Sequence, residues 1–114
     1  MGISVDDAVA VAMALPEVAR RPYGTDAVNF RVRDRSFAYL NEVAEVALVK
    51  ATLDEHEALV MSDPEVFSPA WSSGRFGWVR VRLPLVDPVE YAELVTEAWR
   101  LSAPRRLVAT FGTQ

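Results

Sequence analysis

Three features of the 114-residue chain predict an α+β fold, a two-layer arrangement with helices on one face of an antiparallel sheet. Two stretches, Ala27 to Arg33 and Phe76 to Leu83, alternate apolar and polar residues with the period of a strand. Three others repeat apolar residues at helical spacing and begin at cap residues. The strands expected between Ala27 and Lys50 follow one another too closely for crossovers, so they must pair as antiparallel hairpins. At this length, with 51% hydrophobic and 25% charged residues, a single domain over residues 1–114 is expected to bury one core.

The first helix is predicted over residues 5–14. Ser4 with Asp7 three residues later resembles a capping box, and Val5, Ala8, Val9, Ala12 and Met13 recur at helical spacing until Pro16. Residues 16–26, with Pro16, Pro22 and Gly24, are expected to be a loop. In the strand from Ala27, Val28, Phe30 and Val32 share one face, and Asn29, Arg31 and Arg33 the other. Asp34-Arg35 reads as a turn into a strand from Ser36 to Leu40, and a third runs from Val46 to Lys50. Thr52 or Asp54 caps a second helix carrying Leu53, Leu59, Val60 and Met61, which ends before Asp63-Pro64. Val66 to Ser68 is short and extended, and Ser72-Ser73-Gly74 marks a turn.

The clearest strand follows, with Val79, Val81 and Leu83 opposed to Trp78, Arg80 and Arg82. Asp87-Pro88 then starts a third helix, an acid at the N-cap and proline in its first turn. Pro104 ends it, and Arg105 to Phe111 forms one further turn. The predicted order is αβββαββα.

Sixteen acidic residues against 12 basic give a net charge of −4, which argues mildly against strong nucleic-acid binding, although distribution outweighs the sum. Eleven of the basic residues are Arg and only Lys50 is Lys, a bias that GC-rich codon usage produces and that also suits phosphate and aromatic contacts. The absence of Cys excludes disulfides, thiolate nucleophiles and Cys-ligated metals. The N-terminal residues fit neither a signal peptide nor a myristoylation site, and no run approaches the roughly 20 apolar residues of a membrane span. A cytoplasmic protein without membrane partners is expected.

Catalytic chemistry finds little support. His56, the only histidine, lies between Glu55 and Glu57 and reads as an exposed helical residue, with no partners for a serine triad or a multi-His metal site. Glu90, Glu93 and Glu97 fall on one helical face and read as a solvated stripe, and Gly74 and Gly77 read as turn glycines rather than a phosphate loop. The expectation is a protein that is not an enzyme and that needs no cofactor or metal.

One constellation rises above this background. If the apolar strand positions face the helices, Asn29, Arg31, Arg33, Phe76, Trp78, Arg80 and Arg82 form an open face of guanidinium groups and aromatic rings. Such a face can hold phosphates and stack on bases. It can equally seat a protein partner or a second copy, or simply use Arg stems to cover apolar sheet surface.

The run Asp63-Pro64-Glu65-Val66-Phe67-Ser68-Pro69-Ala70, followed by Gly74-Arg75-Phe76-Gly77-Trp78-Val79-Arg80-Val81, resembles the MmcQ/YjbR family. The resemblance extends to Asn29-Phe30-Arg31-Val32, Ser36-Phe37-Ala38, Glu97-Ala98-Trp99-Arg100-Leu101 and Ala103-Pro104-Arg105-Arg106-Leu107, and so covers the chain from Leu15-Pro16 onward. It implies a secretion-chaperone-like α+β fold and a DNA-binding role of the double-wing kind, and it supplies no catalytic residues. One departure is that Tyr23-Gly24 is followed by Thr25-Asp26, where relatives often carry His-Pro. The leading expectation is nucleic-acid binding by Arg31, Arg33, Arg75, Arg80 and Arg82 as phosphate contacts, with Trp78 as the stacking surface. The alternative is a protein-interaction or homodimer module using the same face.

Overall fold

The structure, a computed structural model, describes residues 2–112. Its elements are α1 (Val5–Met13), β1 (Val18–Tyr23), β2 (Ala27–Val32), β3 (Arg35–Asn41), β4 (Val46–Thr52), α2 (Leu53–Ser62), β5 (Phe67–Ser73), β6 (Phe76–Arg82), α3 (Pro88–Ser102) and α4 (Arg105–Gly112). The fold is α+β, a six-stranded antiparallel sheet in the order β1-β2-β3-β4-β6-β5 with helices packed on one face. Of the described residues, no helix is long and apolar enough to cross a membrane.

The helix starts follow from side-chain caps that satisfy otherwise unpaired N–H groups. The Asp7 N–H donates to Ser4 Oγ at 3.1 Å, the Glu55 N–H to Thr52 Oγ1 at 3.2 Å, and the Glu90 N–H to Asp87 Oδ2 at 3.0 Å. Thr52, rather than Asp54, is therefore the cap of α2. On α3, Tyr91, Leu94, Val95, Ala98, Trp99 and Ser102 are all buried, the spacing of one helical face laid on the sheet. It lies over β3 and β4, and the same core takes in Val28, Phe30 and Val32 of β2 and Val79 and Val81 of β6, the apolar parity expected from the sequence.

Two segments differ from expectation. Residues 16–26 are not a loop throughout: Val18–Tyr23 forms β1, the edge strand beside β2. An edge strand pairs on one side only, so it tolerates Pro22, and its exposed Arg20 and Arg21 discourage pairing with another chain. The β2–β3 turn is Arg33-Asp34, one residue earlier than expected. Val32 pairs with Arg35, and both turn residues are left-handed (φ 48° and 65°), the requirement of a type I′ hairpin. The final Arg105–Gly112 segment is a full helix, and the observed order is αββββαββαα.

His56 is half-buried rather than exposed, because α2 lays its ring against β6 at Gly77. Gly77 is accordingly a strand residue paired with Ala51 and Ser72, while Gly74, with φ 59°, forms the β5–β6 turn together with Arg75. A Cβ at Gly77 would stand 2.7–2.9 Å from His56 Cγ, Cδ2 and Cβ, which forces α2 off the sheet. Gly77→Val is expected to destabilise the protein by about 1–3 kcal/mol in urea unfolding. Unchanged stability would mean that α2 is not seated against this strand.

Candidate functional site

Cross-strand register carries the open face across all six strands. Arg21 pairs with Asn29, Asn29 with Tyr39, Tyr39 with Leu48, Leu48 with Arg80, and Trp78 with Trp71. The charged residues within the strands are Arg20, Arg21, Arg31, Arg35, Lys50, Arg80 and Arg82, with no carboxylate among them. Much of the acid of this net-negative chain sits on the helices instead, including Asp54, Glu55, Glu90, Glu93 and Glu97. By register Arg20 and Arg35 fall on the helix side with Phe30 and Val32, so the open face itself carries Arg21, Arg31, Arg80 and Arg82 with no strand carboxylate, and an anion there meets a potential that the total charge conceals.

An aromatic track crosses this face. Tyr23 meets Tyr39 edge-on with ring centroids 4.9 Å apart, Tyr39 lies 5.5 Å from Trp78, and Trp78 stacks on Trp71 at 5.1 Å with an 18° interplanar angle. Trp78 is only 7% exposed, whereas Trp71 is 44% and Tyr23 60% exposed. Trp78 is therefore the floor of the track, and Trp71 and Tyr23 are the rings a ligand meets. Beside the track, a cavity of about 310 Å³ is bounded by Tyr23, Tyr39, Asn41, Val46, Leu48 and Arg80.

Trp71 and Tyr39 owe their place to two bulges. In β5 the register passes from Pro69–Val79 to Trp71–Trp78, skipping Ala70. Without that extra residue Trp71 would oppose Gly77 and point to the helices. In β3 the register passes from Phe30–Ala38 to Arg31–Ser36, so Phe37 is the unpaired residue, and its ring is fully buried.

The six residues singled out in the sequence divide into two groups. Arg80 and Arg82 are exposed beside the track and have no ion-pair partner among the described residues, and Arg75 stands on the β5–β6 turn, 5.7 Å from the Phe76 ring centre. Trp78 joins this group as the buried base of the stack. Arg31 does not join it as a free cation. Its Nη2 donates to the Asp34 carbonyl at 2.6 Å and its Nη1 reaches Asn29 Oδ1 at 3.5 Å, so it closes the β2–β3 hairpin. Arg33 leaves the face altogether. It is a turn residue whose guanidinium forks onto both carboxylate oxygens of Glu17, with Nη2–Oε2 at 3.0 Å, among residues of α4. Tyr23, Tyr39 and Trp71 are not singled out by the sequence, because no strand is expected at Tyr23 and the bulges hide the parity of the other two.

The hydrogen bond and charge of Arg33 hold the Glu17 carboxyl below the usual carboxylate range. A depressed folded-state pKa stabilises the fold above the unfolded-state value and ceases to do so as pH falls through the folded value. Glu17→Gln should therefore lower Tm slightly at neutral pH, with the gap to the unmutated protein closing on acidification. A gap that stays constant with pH would show that the pair adds nothing electrostatic. Among the described residues no group of three or more His, Asp or Glu side chains is placed to hold a metal ion.

A family model described as YjbR matches residues 13–101. The crystal structure of protein DR2400 from Deinococcus radiodurans, a DUF419 domain, is similar to this chain with a TM-score of 0.76 at 22% sequence identity, covering 87% of this chain and 78% of that one. At that identity the likeness is one of fold. No curated protein matches the chain.

Proposed function

The chain belongs to the YjbR family, and on that premise we propose that it binds single-stranded nucleic acid on its open sheet face. The observation that carries this reading is the aromatic track, in which exposed Trp71 lies over buried Trp78 beside exposed Arg80 and Arg82. A stacking ring needs an unpaired base, and a duplex hides its base faces, so the track favours single strands. Arg80 and Arg82 take the phosphates, Arg75 extends the cationic rim, and the cavity beside Tyr39 is lined by side chains suited to one base edge. The protein acts as a binding module and not as an enzyme.

A salt titration with single- and double-stranded oligonucleotides tests this. Single strands should bind more tightly, and affinity should fall steeply with salt as phosphate contacts release counterions. Binding that is absent at low salt, or indifferent to salt, rules the reading out. The second reading, a protein partner or a second copy on the same face, is favoured by the −4 net charge and by the exposure of Trp71 and Tyr23, since such rings are enriched at interface hot spots. Light scattering distinguishes the self-association version: a monomer at every concentration removes it.

A further inference from the structure

Away from the aromatic track, the β2–β3 hairpin, the end of α3 and the start of α4 enclose a cavity of about 410 Å³ lined by Arg33, Arg35, Ser102, Ala103, Pro104 and Arg105. Three guanidinium groups from two separate elements meet there. Glu17 neutralises Arg33, but Arg35 and Arg105 have no ion-pair partner among the described residues. A fourth cation touches the lining from behind. The β3–β4 ladder ends at Ala38–Val49, and just beyond it the Lys50 ammonium donates to Ser102 Oγ at 3.2 Å. Ser102 is only 2% exposed. Burial, and then the charge of Arg35, push the Lys50 pKa down.

The helix start adds to this excess. The first backbone bond of α4 runs from the Val108 N–H to the Pro104 carbonyl at 3.0 Å, which leaves the N–H groups of Arg105, Arg106 and Leu107 ahead of it, and Pro104 at the cap position has no side-chain acceptor to offer them. Arg105 and Arg106 occupy the first turn, where the helix dipole favours acids. Two guanidinium groups without an ion-pair partner among the described residues, those of Arg35 and Arg105, and a helix N-terminus thus converge on a cavity lined by a hydroxyl, and a multiply charged anion is the ligand that satisfies them. Ser102 fits this role, because its oxygen accepts from Lys50 and its own proton remains to donate.

We propose that this cavity binds a phosphate-monoester dianion, held by Arg35, Arg105 and the N–H groups that begin α4. A dianion with three terminal oxygens matches several guanidinium forks better than a carboxylate or chloride does. This site goes beyond the sheet-face reading and does not depend on it.

The probe is inorganic phosphate, titrated calorimetrically and by thermal shift against chloride at matched ionic strength. Phosphate should raise Tm where chloride does not, and Arg35→Ala or Arg105→Ala should weaken phosphate binding about tenfold or more. Arg35 and Arg105 are exposed, and removing either relieves like-charge repulsion, so both variants should keep at least the unmutated Tm in chloride. Arg106→Ala, which lies outside the cavity lining, should bind phosphate more nearly as the unmutated protein does. A second arm identifies the source. If 5′-phosphorylated oligonucleotides outbind their 5′-hydroxyl counterparts, and Arg35→Ala abolishes the difference, the dianion is a nucleic-acid end; equal binding points to a small phosphorylated molecule. No phosphate-specific rise in Tm, or a rise that both variants retain in full, overturns the proposal.

Discussion

Replacing Trp71 with alanine is expected to weaken single-stranded DNA binding by about 5- to 150-fold while leaving the protein folded, because stacking of one base on an aromatic ring contributes about 1–3 kcal/mol. Trp71 lies on an edge strand and is 44% exposed, so its removal costs the fold little beyond its packing on Trp78. Such aromatic pairs contribute about 0.5–1.5 kcal/mol beyond their buried area. Trp78→Ala should behave differently. Its ring is 7% exposed and packs against both Trp71 and Tyr39, so stability and binding should fall together. Arg80→Ala/Arg82→Ala should lower affinity at low salt and flatten the log–log salt dependence by about 0.7 for each phosphate that is no longer neutralised. The set is measured by fluorescence anisotropy with melting curves alongside. Binding that survives Trp71→Ala would remove the stacking role. A change of oligomeric state in that variant, without a change in DNA affinity, would favour the protein-partner reading.

The strands that the sequence made legible are those with one buried face and an unbroken register. In β6 the alternation of Val79 and Val81 against Arg80 and Arg82 holds because β4 and β5 flank it on both sides and the helices cover one face. Edge strand β1 has no buried alternation to detect. Only Val18 is even partly covered, and Pro22 and Gly24 look like loop chemistry when the neighbouring strand is unseen. Trp71 was hidden by a related limit, since parity counts residues and the Ala70 bulge adds one. The place of Arg33 off the open face has another cause. Asp34-Arg35 and Arg33-Asp34 are both acceptable turns by composition, and only the pairing of Val32 with Arg35 selects the second. That one-residue difference moves Arg33 from the open face to Glu17. His56 is half-buried against the local expectation because it packs on a glycine far along the chain, and nothing in the local sequence records that Gly77 leaves a hollow there.

The largest effect on stability should come from Trp99→Ala, at about 3–5 kcal/mol, with Tm lower by more than about 10 °C. Trp99 is fully buried, its Nε1 donates to the Pro16 carbonyl at 3.0 Å, and its ring lies 5.1 Å from Phe111. It therefore joins the start of the chain to its last helix across the core. Trp99→Phe keeps an aromatic ring in place but strands the Pro16 carbonyl, and should cost less than the alanine variant. Because α4 packs on the core through Leu107, Val108 and Phe111, losing the Trp99 ring should loosen α4 first, seen as faster amide exchange over 107–111. Arg105 would then no longer be fixed over the phosphate cavity, so phosphate binding should weaken at temperatures where the variant is still folded. The open sheet face lies on the other side of the core and should still bind single-stranded DNA. Parallel loss of both affinities in folded Trp99→Ala would mean that the two surfaces are not independent, and would count against separate sites for the base track and the dianion.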